Sequence, residues 1–326
     1  SGNLYPSNLE QDTQRALVTG EFELGLCAWA QGMRTYAWAP DSGRIYYTCN
    51  EQGSASLWSV DVATGDTAPV AGLSGYTHFS QIDVSGKGRI AVIASAPSIP
   101  SRVVTLAPGG SDDVHIVARA SSETVPPDLL SEPRPITWRS QEGEPVYGLL
   151  YMPQSALYES PGKPPLIVHV HGGPTGQATI GYSPSSQFFA TRGYAVLDVN
   201  YRGSAGYGRE YRNKLREQWG IYDGDDAVSG ARYLAEKGLV DAGRTVIMGG
   251  SAGGYTVLQS LIRYPGSFKA GLCLYGVTNL FTLAADTHKF EQRYLDSMIG
   301  PLPETSQRYQ ERSPVFYADR IVDPVA

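Results

Sequence analysis

One serine of the chain has the neighbours and spacing that could make it a nucleophile. Ser251 lies in the segment RTVIMGGSAGGYTVL, between an apolar run and a helical pattern, with Gly249 and Gly253 two residues away on either side. At a sharp strand-to-helix turn the serine takes a strained conformation, and glycine is needed on both sides because larger side chains would collide. The hydroxyl is then exposed, and the N–H of Ala252 can donate to an oxyanion. The pattern predicts a nucleophile elbow, and a glycine-rich strand-to-helix turn without catalytic function is the alternative.

A second glycine pair follows an earlier apolar strand, in the sequence VHVHGGP. The loop after this strand holds the second oxyanion donor of α/β-hydrolases, and Gly172 and Gly173 leave their backbone N–H groups free to approach a ligand. His169 and His171 point to one face of the strand, but no third metal ligand has a useful spacing, so structural roles are favoured for both. The sequence predicts neither a metal site nor a cofactor site.

The elements around these residues divide into two regions. Residues 1–125 alternate short β-type runs with Gly, Asp and Ser turns. Arg44 recurs as Arg89 after 45 residues, and the run around Trp58 matches the run around Val104 after 46 residues. A four-stranded repeat of about 40–45 residues is typical of β-propeller blades. We predict a partial β-propeller of about two blades, with two unrelated hairpins in a β-sandwich as the alternative.

Residues 126–326 have a different pattern, which follows a proline-rich linker at 121–135. Helical stretches at 209–218, 223–237 and 252–263 alternate with four continuous apolar runs, PLIVHV, YAVLDVN, TVIMGG and KAGLCLYG. Strands that are apolar on both faces and separated by helices indicate a mostly parallel sheet with helices on both faces. The sequence thus predicts an α/β-hydrolase catalytic domain that lacks its C-terminal strands, preceded by part of an all-β propeller.

The composition of the 326 residues is that of an ordinary globular protein, with 41% apolar and 18% charged residues. The net charge of −6 comes without a cluster of Lys and Arg, which argues against nucleic acid and a membrane surface as partners. No apolar run reaches the roughly 18 residues that a membrane span needs. Cys27, Cys49 and Cys273 are too scattered and too few for a disulfide framework, and they fit a reducing, cytoplasmic compartment.

Five segments of the second region together resemble the prolyl oligopeptidase family of serine peptidases, especially its acylaminoacyl-peptidase and dipeptidyl-aminopeptidase-like branch. They are HGGP, RGYAVLDVNYRGSAGYGREY, QWGIYDGDDAVSGARYL, GLVDAGRTVIMGGSAGGYTVL and AADTHKFEQRYLD. The resemblance implies a propeller before the hydrolase domain and cleavage of short peptides. It also implies that Ser251 is the nucleophile and that the backbones of Ala252 and of Gly172 or Gly173 form the oxyanion hole.

The acid and the base of a catalytic triad are not found in this chain. In α/β-hydrolases they follow the serine in the order Asp or Glu, then His. The only histidine after Ser251 is His288, 37 residues later, before any strand that could carry the acid. We therefore expect a fragment truncated at both ends, poorly active alone, whose missing C-terminal segment supplies both groups. The open sheet edge makes a homo-oligomer the other expected partner.

Two other functions remain open from the sequence. A carboxylesterase or lipase on the same fold would use the same elbow, and a propeller–hydrolase chain without acid and base could be a catalytically silent binding module. Glu291 and Asp296 could bind the amino group of a substrate, but an exposed helix face explains both residues better.

Overall fold

The computed structural model describes residues 3–8, 13–25, 32–107, 113–123, 125–155 and 161–326, and Cys27 lies outside these ranges. The chain divides into two compact units. The N-terminal unit comprises Ser1–Asp128, Thr179–Ser183 and Gly206–Arg209, and the C-terminal unit comprises Leu129–Ala178, Pro184–Ala205 and Glu210–Ala326. Two short loops from the second half of the sequence therefore belong to the N-terminal unit.

The N-terminal unit consists of antiparallel strands. In chain order they are β1 (Ser7–Asn8), β2 (Thr13–Gln14), β3 (Tyr36–Trp38), β4 (Arg44–Glu51), β5 (Ser54–Asp61), β6 (Thr67–Pro69), β7 (His78–Val84), β8 (Ile90–Ala96), β9 (Ile99–Leu106) and β10 (His115–Arg119). β1 pairs with β2, while β3 to β6 form one four-stranded sheet in sequential order and β7 to β10 form a second. Arg44 begins β4 and Arg89 directly precedes β8, the second strand of each sheet. The repeat in the sequence thus corresponds to two four-stranded blades of a β-propeller.

An apolar core lies between the two blades of the N-terminal unit. Ile90, Val92 and Ala94 of β8 are at most 1% exposed, and the residues between them are half-buried. This period of two is expected for a strand with one face turned to the core. Leu57 on β5 and Phe79 on β7 belong to the same cluster.

The C-terminal unit contains a six-stranded mixed sheet. Its strands are β11 (Arg134–Arg139), β12 (Pro145–Tyr151), β13 (Leu166–Val170), β14 (Ala195–Asn200), β15 (Thr245–Gly250) and β16 (Gly271–Leu274), and their order across the sheet is β11-β12-β14-β13-β15-β16. β11 and β12 form an antiparallel hairpin, β12 is antiparallel to β14, and the other four strands are parallel. Beyond β16, Gly271 N–H donates to Pro324 O at 2.8 Å and Ala326 N–H donates to Gly271 O at 3.0 Å, which adds a parallel bridge at this edge.

Helices pack against this sheet. They are α1 (Pro184–Ala190), α2 (Gly208–Asn213), α3 (Tyr222–Glu236), α4 (Ala252–Arg263), α5 (Leu280–Asp286), α6 (Tyr294–Met298) and α7 (Ser306–Glu311), with 3₁₀ helices at Pro127–Leu129 and Pro314–Arg320. α3 and α4 contact each other and the sheet. α4 is buried along almost its whole length, which explains why its sequence is apolar on most sides. None of the helices in the described part of the chain is both long and apolar enough to cross a membrane.

One predicted helix is shorter in the structure than in the sequence analysis. The helix predicted at 209–218 ends at Asn213, and turns with hydrogen bonds between residues three apart follow it. These turns bury Leu215 and Trp219, which are 0% and 2% exposed. Burial of the two side chains outweighs the local preference for helix.

Candidate active site

Ser251 lies between β15 and α4, at the turn that the sequence predicts. Its backbone angles are φ 56° and ψ −121°, a region that residues other than glycine rarely adopt. The Ser251 N–H donates to Leu274 O on β16 at 3.0 Å, and Ser251 O accepts the N–H of Tyr255 at 3.0 Å. The sheet and the first turn of α4 thus hold the serine in this conformation, with its side chain exposed.

The glycines on either side of Ser251 allow three backbone segments to approach closely. A Cβ on Gly253 would lie 2.1 Å from Val170 O at the end of β13, and a Cβ on Gly249 would lie 2.6 Å from Gly253 O. Contacts this short with backbone oxygens cannot be relieved by a side-chain rotation, so β13, β15 or α4 would have to move. The collision that the sequence pattern predicts for larger residues is therefore present.

The three predicted oxyanion donors lie beside Ser251. A Cβ on Gly172 would be 3.4 Å from Ser251 Cβ and 3.8 Å from Ala252 N, and Gly173 lines the same cavity as the serine. Within the described residues, no hydrogen bond uses the N–H of Gly172, Gly173 or Ala252 as its donor. Ala252 is also the first residue of α4, where the helix dipole favours negative charge. These amides are available to an anion that forms next to the serine hydroxyl.

His171 holds the loop that carries these glycines. Its Nδ1–H donates to Gly172 O at 3.0 Å, because a carbonyl can only accept, and its Nε2 accepts the Ser204 hydroxyl at 2.8 Å. The ring stacks on Tyr201 with a centroid separation of 4.5 Å. Burial lowers the pKa of His171 to about 4, so the imidazole stays neutral near neutral pH. His171 is a structural histidine, as the sequence analysis favours.

His169 also has a structural partner. Its Nδ1–H donates to Asp198 Oδ1 on the neighbouring strand β14 at 2.6 Å, and Ser186 donates to Asp198 Oδ2 at 3.2 Å. Burial disfavours the charged imidazole, but the hydrogen bond and the charge of Asp198 outweigh it and raise the pKa of His169. Among the described residues, no group of three or more His, Cys, Asp or Glu side chains could hold a metal ion.

A small cavity of about 60 Å³ lies next to Ser251. It is lined by Gly173, Pro174, Trp219, Ser251, Ala252, Val277, Leu283, Thr287, Glu291, Tyr294 and Leu295. The lining combines the loop after β13, the elbow and the segment that runs from the end of β16 to α6. Among the described residues of this lining, Glu291 alone carries a charge.

The sequence favours an exposed helix face for Glu291, and the structure shows that this interpretation is wrong. Glu291 lies in the turn between α5 and α6, and its side chain is 29% exposed. Its Oε2 accepts the Thr287 hydroxyl at 3.0 Å and lies 3.6 Å from His288 Nε2. Asp296, on α6, instead accepts a hydrogen bond from Arg293 at 3.1 Å and does not line the cavity. No periodicity in the sequence could distinguish the two acids, because the turn that positions Glu291 is irregular.

No histidine of the C-terminal unit is hydrogen-bonded to Ser251 in the part of the chain that the structure describes. His169 and His171 have the partners given above, and His288 is 56% exposed beside Glu291. The structure thus brings together the predicted nucleophile and the predicted oxyanion donors, without a base or an acid bonded to the serine. This arrangement can stabilise a tetrahedral oxyanion, but proton transfer from the hydroxyl needs a further group.

Comparisons with known proteins agree with this chemistry. Residues 181–325 match the model of the prolyl oligopeptidase family. The dipeptidyl aminopeptidase BIII of Pseudoxanthomonas mexicana is 32% identical over 200 residues, which cover 59% of this chain and 29% of that protein. The acylamino-acid-releasing enzyme of Sus scrofa is 27% identical over 302 residues, which cover 88% of this chain and 41% of that enzyme.

Solved structures give the same result for the fold. A puromycin-hydrolyzing peptidase of Mycobacterium tuberculosis superposes with a TM-score of 0.90 at 35% identity, over 99% of this chain and 50% of that one. The acylaminoacyl peptidase of Pyrococcus horikoshii gives a TM-score of 0.72 at 25% identity, over 87% of this chain and 44% of that one. The chain therefore spans half or less of the length of these relatives. In sequence and in fold, with part of a β-propeller before an α/β-hydrolase unit, the chain is similar to serine peptidases of the prolyl oligopeptidase family.

Proposed function

We propose that Ser251 is the nucleophile of a serine peptidase that hydrolyses short peptides through an acyl-enzyme. The observation that carries this proposal is the strained serine at the start of α4, exposed beside a cavity and next to backbone N–H groups that have no partner among the described residues. Strain of this kind persists only where the surrounding structure enforces it, and it is frequent at functional sites. A turn with no function would not need three free amides around one exposed hydroxyl.

In the proposed reaction, Ser251 Oγ attacks the carbonyl carbon of the scissile peptide bond while a base takes the hydroxyl proton. The carbonyl oxygen becomes an oxyanion, which accepts hydrogen bonds from the N–H of Ala252 and of Gly172 or Gly173. The tetrahedral intermediate then expels the amine, which receives the proton from the base and leaves an ester on Ser251. A water molecule hydrolyses this ester by the same steps and restores the serine.

We further propose that the base and the acid come from a missing C-terminal segment of the same protein, beyond Ala326. Assembly of the chain into a homo-oligomer is the other proposed interaction. The hydrogen-bond partners of His169 and His171 support this proposal, because both rings are engaged away from Ser251. Without a base, a serine hydroxyl is a poor nucleophile near neutral pH. Loss of the histidine of a comparable triad lowers turnover by about 10⁶, while oxyanion binding retains about 10³–10⁴ over water.

The proposal is tested by covalent labelling of Ser251 with a fluorophosphonate, followed by intact mass and peptide mapping. The full-length protein encoded by the gene should form one adduct at Ser251, and its Ser251→Ala variant should form none. The 326-residue chain alone should react far more slowly. An adduct that forms equally fast on the isolated chain would contradict the proposed source of the base. No adduct in the full-length protein would favour a silent binding module.

Substrate chemistry separates the peptidase from the esterase on the same fold. The full-length protein should hydrolyse aminoacyl and short peptidyl amides, measured as kcat/KM, and the Ser251→Ala variant should not. Turnover of simple esters without turnover of the corresponding amides would instead support a carboxylesterase or lipase, since esters have a better leaving group and need less catalytic assistance.

We also propose a cytoplasmic location. The thiols of Cys49 and Cys273 support it, because neither forms a disulfide in the described part of the chain and burial raises the pKa of both. Alkylation of protein taken directly from cells and unfolded in denaturant should label both cysteines without prior reduction. Protein in which either cysteine needs reduction before it reacts would contradict this location.

A further inference from the structure

The loop after β13 carries two of the predicted oxyanion donors and has little regular structure of its own. It comprises residues 171–176, which we call the oxyanion loop, and Gly176 N–H donates to Gly173 O at 3.0 Å to close a turn. Gly173 has φ 72°, a conformation that glycine adopts without strain. The N–H groups of Gly172 and Gly173 have no hydrogen-bond acceptor among the described residues. Their direction therefore depends on the contacts that other groups make with the rest of the loop.

Two carbonyl groups of the oxyanion loop are held by rings at the ends of β13 and β14. His171 Nδ1–H donates to Gly172 O at 3.0 Å, and the hydroxyl of Tyr201, which directly follows β14, donates to Pro174 O at 2.6 Å. Neither of these bonds involves Thr175, the third residue of the turn. The second half of the turn is therefore held from another part of the fold.

The Tyr294 hydroxyl holds this second half. It lies 2.6 Å from Thr175 Oγ1, accepts the Thr175 N–H at 3.3 Å and lies 3.5 Å from Gly173 O, to which it can donate. A phenolic hydroxyl has one proton and can also accept, so it can bond to the backbone and the side chain of Thr175 together. One oxygen atom thus contacts both the first and the third residue of the turn.

Tyr294 is itself fixed by the core of the C-terminal unit. It is the first residue of α6, and Leu295 and Met298 on the same helix are 5% and 2% exposed. Glu217 N–H donates to Ser297 O at 3.0 Å, which ties α6 to the segment before α3. An anchor with buried neighbours keeps its position before a substrate binds, as preorganised hydrogen-bond donors require.

We propose that Tyr294 is a positioning residue that holds the oxyanion loop, so that the N–H of Gly172 or Gly173 points at the oxyanion formed during attack by Ser251. This inference rests on the proposed role of Ser251. The Tyr294 hydroxyl bonds to the loop, so it acts through the backbone amides and not on the reacting atoms. Such amides stabilise the transition state only if they are aimed at the charge before it forms, and a displacement of about 1 Å can lower the rate by about 10²-fold.

Steady-state kinetics of the full-length protein test this role. Tyr294→Phe keeps the ring that lines the cavity and removes only the hydroxyl. We expect kcat on a short peptidyl amide to fall by about 10- to 100-fold, because the donors are less well aimed at the transition state. KM should change by less than about 2-fold, because the contacts of the ring with bound substrate are retained.

A pair of inhibitors separates an effect on the oxyanion from damage to the fold. A peptidyl trifluoromethyl ketone forms a tetrahedral adduct with the serine and carries an oxyanion, whereas the corresponding alcohol binds without one. In Tyr294→Phe the inhibition constant of the ketone should rise by the factor by which kcat/KM falls, as expected of a transition-state analogue. The inhibition constant of the alcohol should change by less than about 2-fold, because the alcohol needs no oxyanion donor.

Two further variants serve as controls. Thr175→Val keeps the shape of the side chain, removes the hydroxyl that contacts Tyr294, and carries the test if Tyr294→Phe does not fold. It should lower kcat by less than Tyr294→Phe, and the double variant should lose no more than Tyr294→Phe alone, because both changes act through one contact. Tyr309→Phe removes another tyrosine hydroxyl, which donates to Gly300 O at 3.1 Å outside the cavity lining. It should leave kcat and both inhibition constants unchanged.

The outcomes separate this inference from the proposed function. A loss of kcat and of ketone affinity that spares the alcohol and is absent from Tyr309→Phe supports positioning by Tyr294. An unchanged kcat, equal weakening of the ketone and the alcohol, or losses that multiply in the double variant overturn it. Fluorophosphonate labelling of Ser251 in the wild-type protein is read beside these assays. Labelling with an unchanged kcat in Tyr294→Phe refutes the role of Tyr294 alone, whereas the failure of labelling refutes the nucleophile.

Discussion

The backbone strain at Ser251 can be measured by comparing two variants, Ser251→Ala and Ser251→Gly. Both remove the hydroxyl, but only alanine keeps the Cβ that makes φ 56° and ψ −121° unfavourable. A non-glycine residue in such a sparsely populated region is destabilised by about 1–3 kcal/mol. Glycine also raises the entropy of the unfolded chain, which offsets about 0.4–1 kcal/mol of the relief. We expect Ser251→Gly to be more stable than Ser251→Ala by about 0.5–2 kcal/mol.

Ser185 provides a matched control, because it is also exposed but lies in α1 with an ordinary helical backbone. There a glycine relieves no strain and should be less stable than an alanine by about 0.5–1 kcal/mol. The order of the two variants therefore reverses between Ser185 and Ser251. No general property of glycine could produce a change of sign between the two sites.

The free energy of unfolding should be obtained from urea titrations in which hydrogen exchange is followed on peptides from β15 and α4. A chain of two units need not unfold in one step, and these peptides report the C-terminal unit. Equal m-values would show that the variants expose the same surface on unfolding. If Ser251→Gly is no more stable than Ser251→Ala, the elbow is not strained, and the conformation of Ser251 does not support a functional role.

Three further predictions concern packing and buried charge in the C-terminal unit. Gly253→Ala should lower the free energy of unfolding by about 2–3 kcal/mol, because its Cβ would lie 2.1 Å from Val170 O. Gly224→Ala is the control, because its Cβ would have only ordinary contacts and should not lower the free energy of unfolding in this way. Urea titration compares the two variants. Burial raises the pKa of Asp223 from 3.8 to about 6. The contribution of Asp223 to the free energy of unfolding is therefore complete below pH 3.8, and about 3 kcal/mol is lost as the pH rises through 6. Asp223→Asn should remove this dependence on pH. Burial lowers the pKa of His171 from 6.5 to about 4, so the free energy of unfolding falls by about 3 kcal/mol as the pH falls from 6.5 through 4. This dependence on pH is opposite in sign to that of Asp223. His171→Phe keeps an aromatic ring and should remove it. The free energy of unfolding, measured at a series of pH values between 3 and 8, gives both dependences. If the difference in this free energy between a variant and the wild type does not change with pH, the shifted pKa of that residue is contradicted.

The elbow could be predicted from the sequence because everything that defines it is local. Two glycines at fixed spacing, an apolar run before them and a helical pattern after them are sufficient, and α4 begins at Ala252 and ends at Arg263 as the pattern indicates. The parallel strands could be predicted equally well, because strands that are covered on both faces are apolar throughout. Short-range chemistry and continuous burial thus account for the part of the site built on β13, β15 and α4.

The remaining features depend on contacts that no short pattern encodes. α2 ends at Asn213 because Leu215 and Trp219 are buried by residues distant in sequence. Glu291 reaches the cavity because an irregular turn between α5 and α6 is bonded to the loop after β13 through Tyr294. Both depend on long-range packing, which overrides local preference and is invisible to periodicity.

The pair of His169 and Asp198 shows why residue types alone do not identify a base. Asp198 bonds the ring at 2.6 Å and raises its pKa, which is the chemistry expected of a catalytic histidine and its acid. A base must also lie within hydrogen-bond reach of the proton it takes, and in the described part of the chain His169 forms no such bond with Ser251. His171 lies in the oxyanion loop, but its lowered pKa and its two occupied nitrogens make it a weak acceptor. The backbone amides beside Ser251 are thus in place in this unit without a histidine bonded to the hydroxyl, so labelling of Ser251 tests the proposed nucleophile where turnover by this chain alone could not.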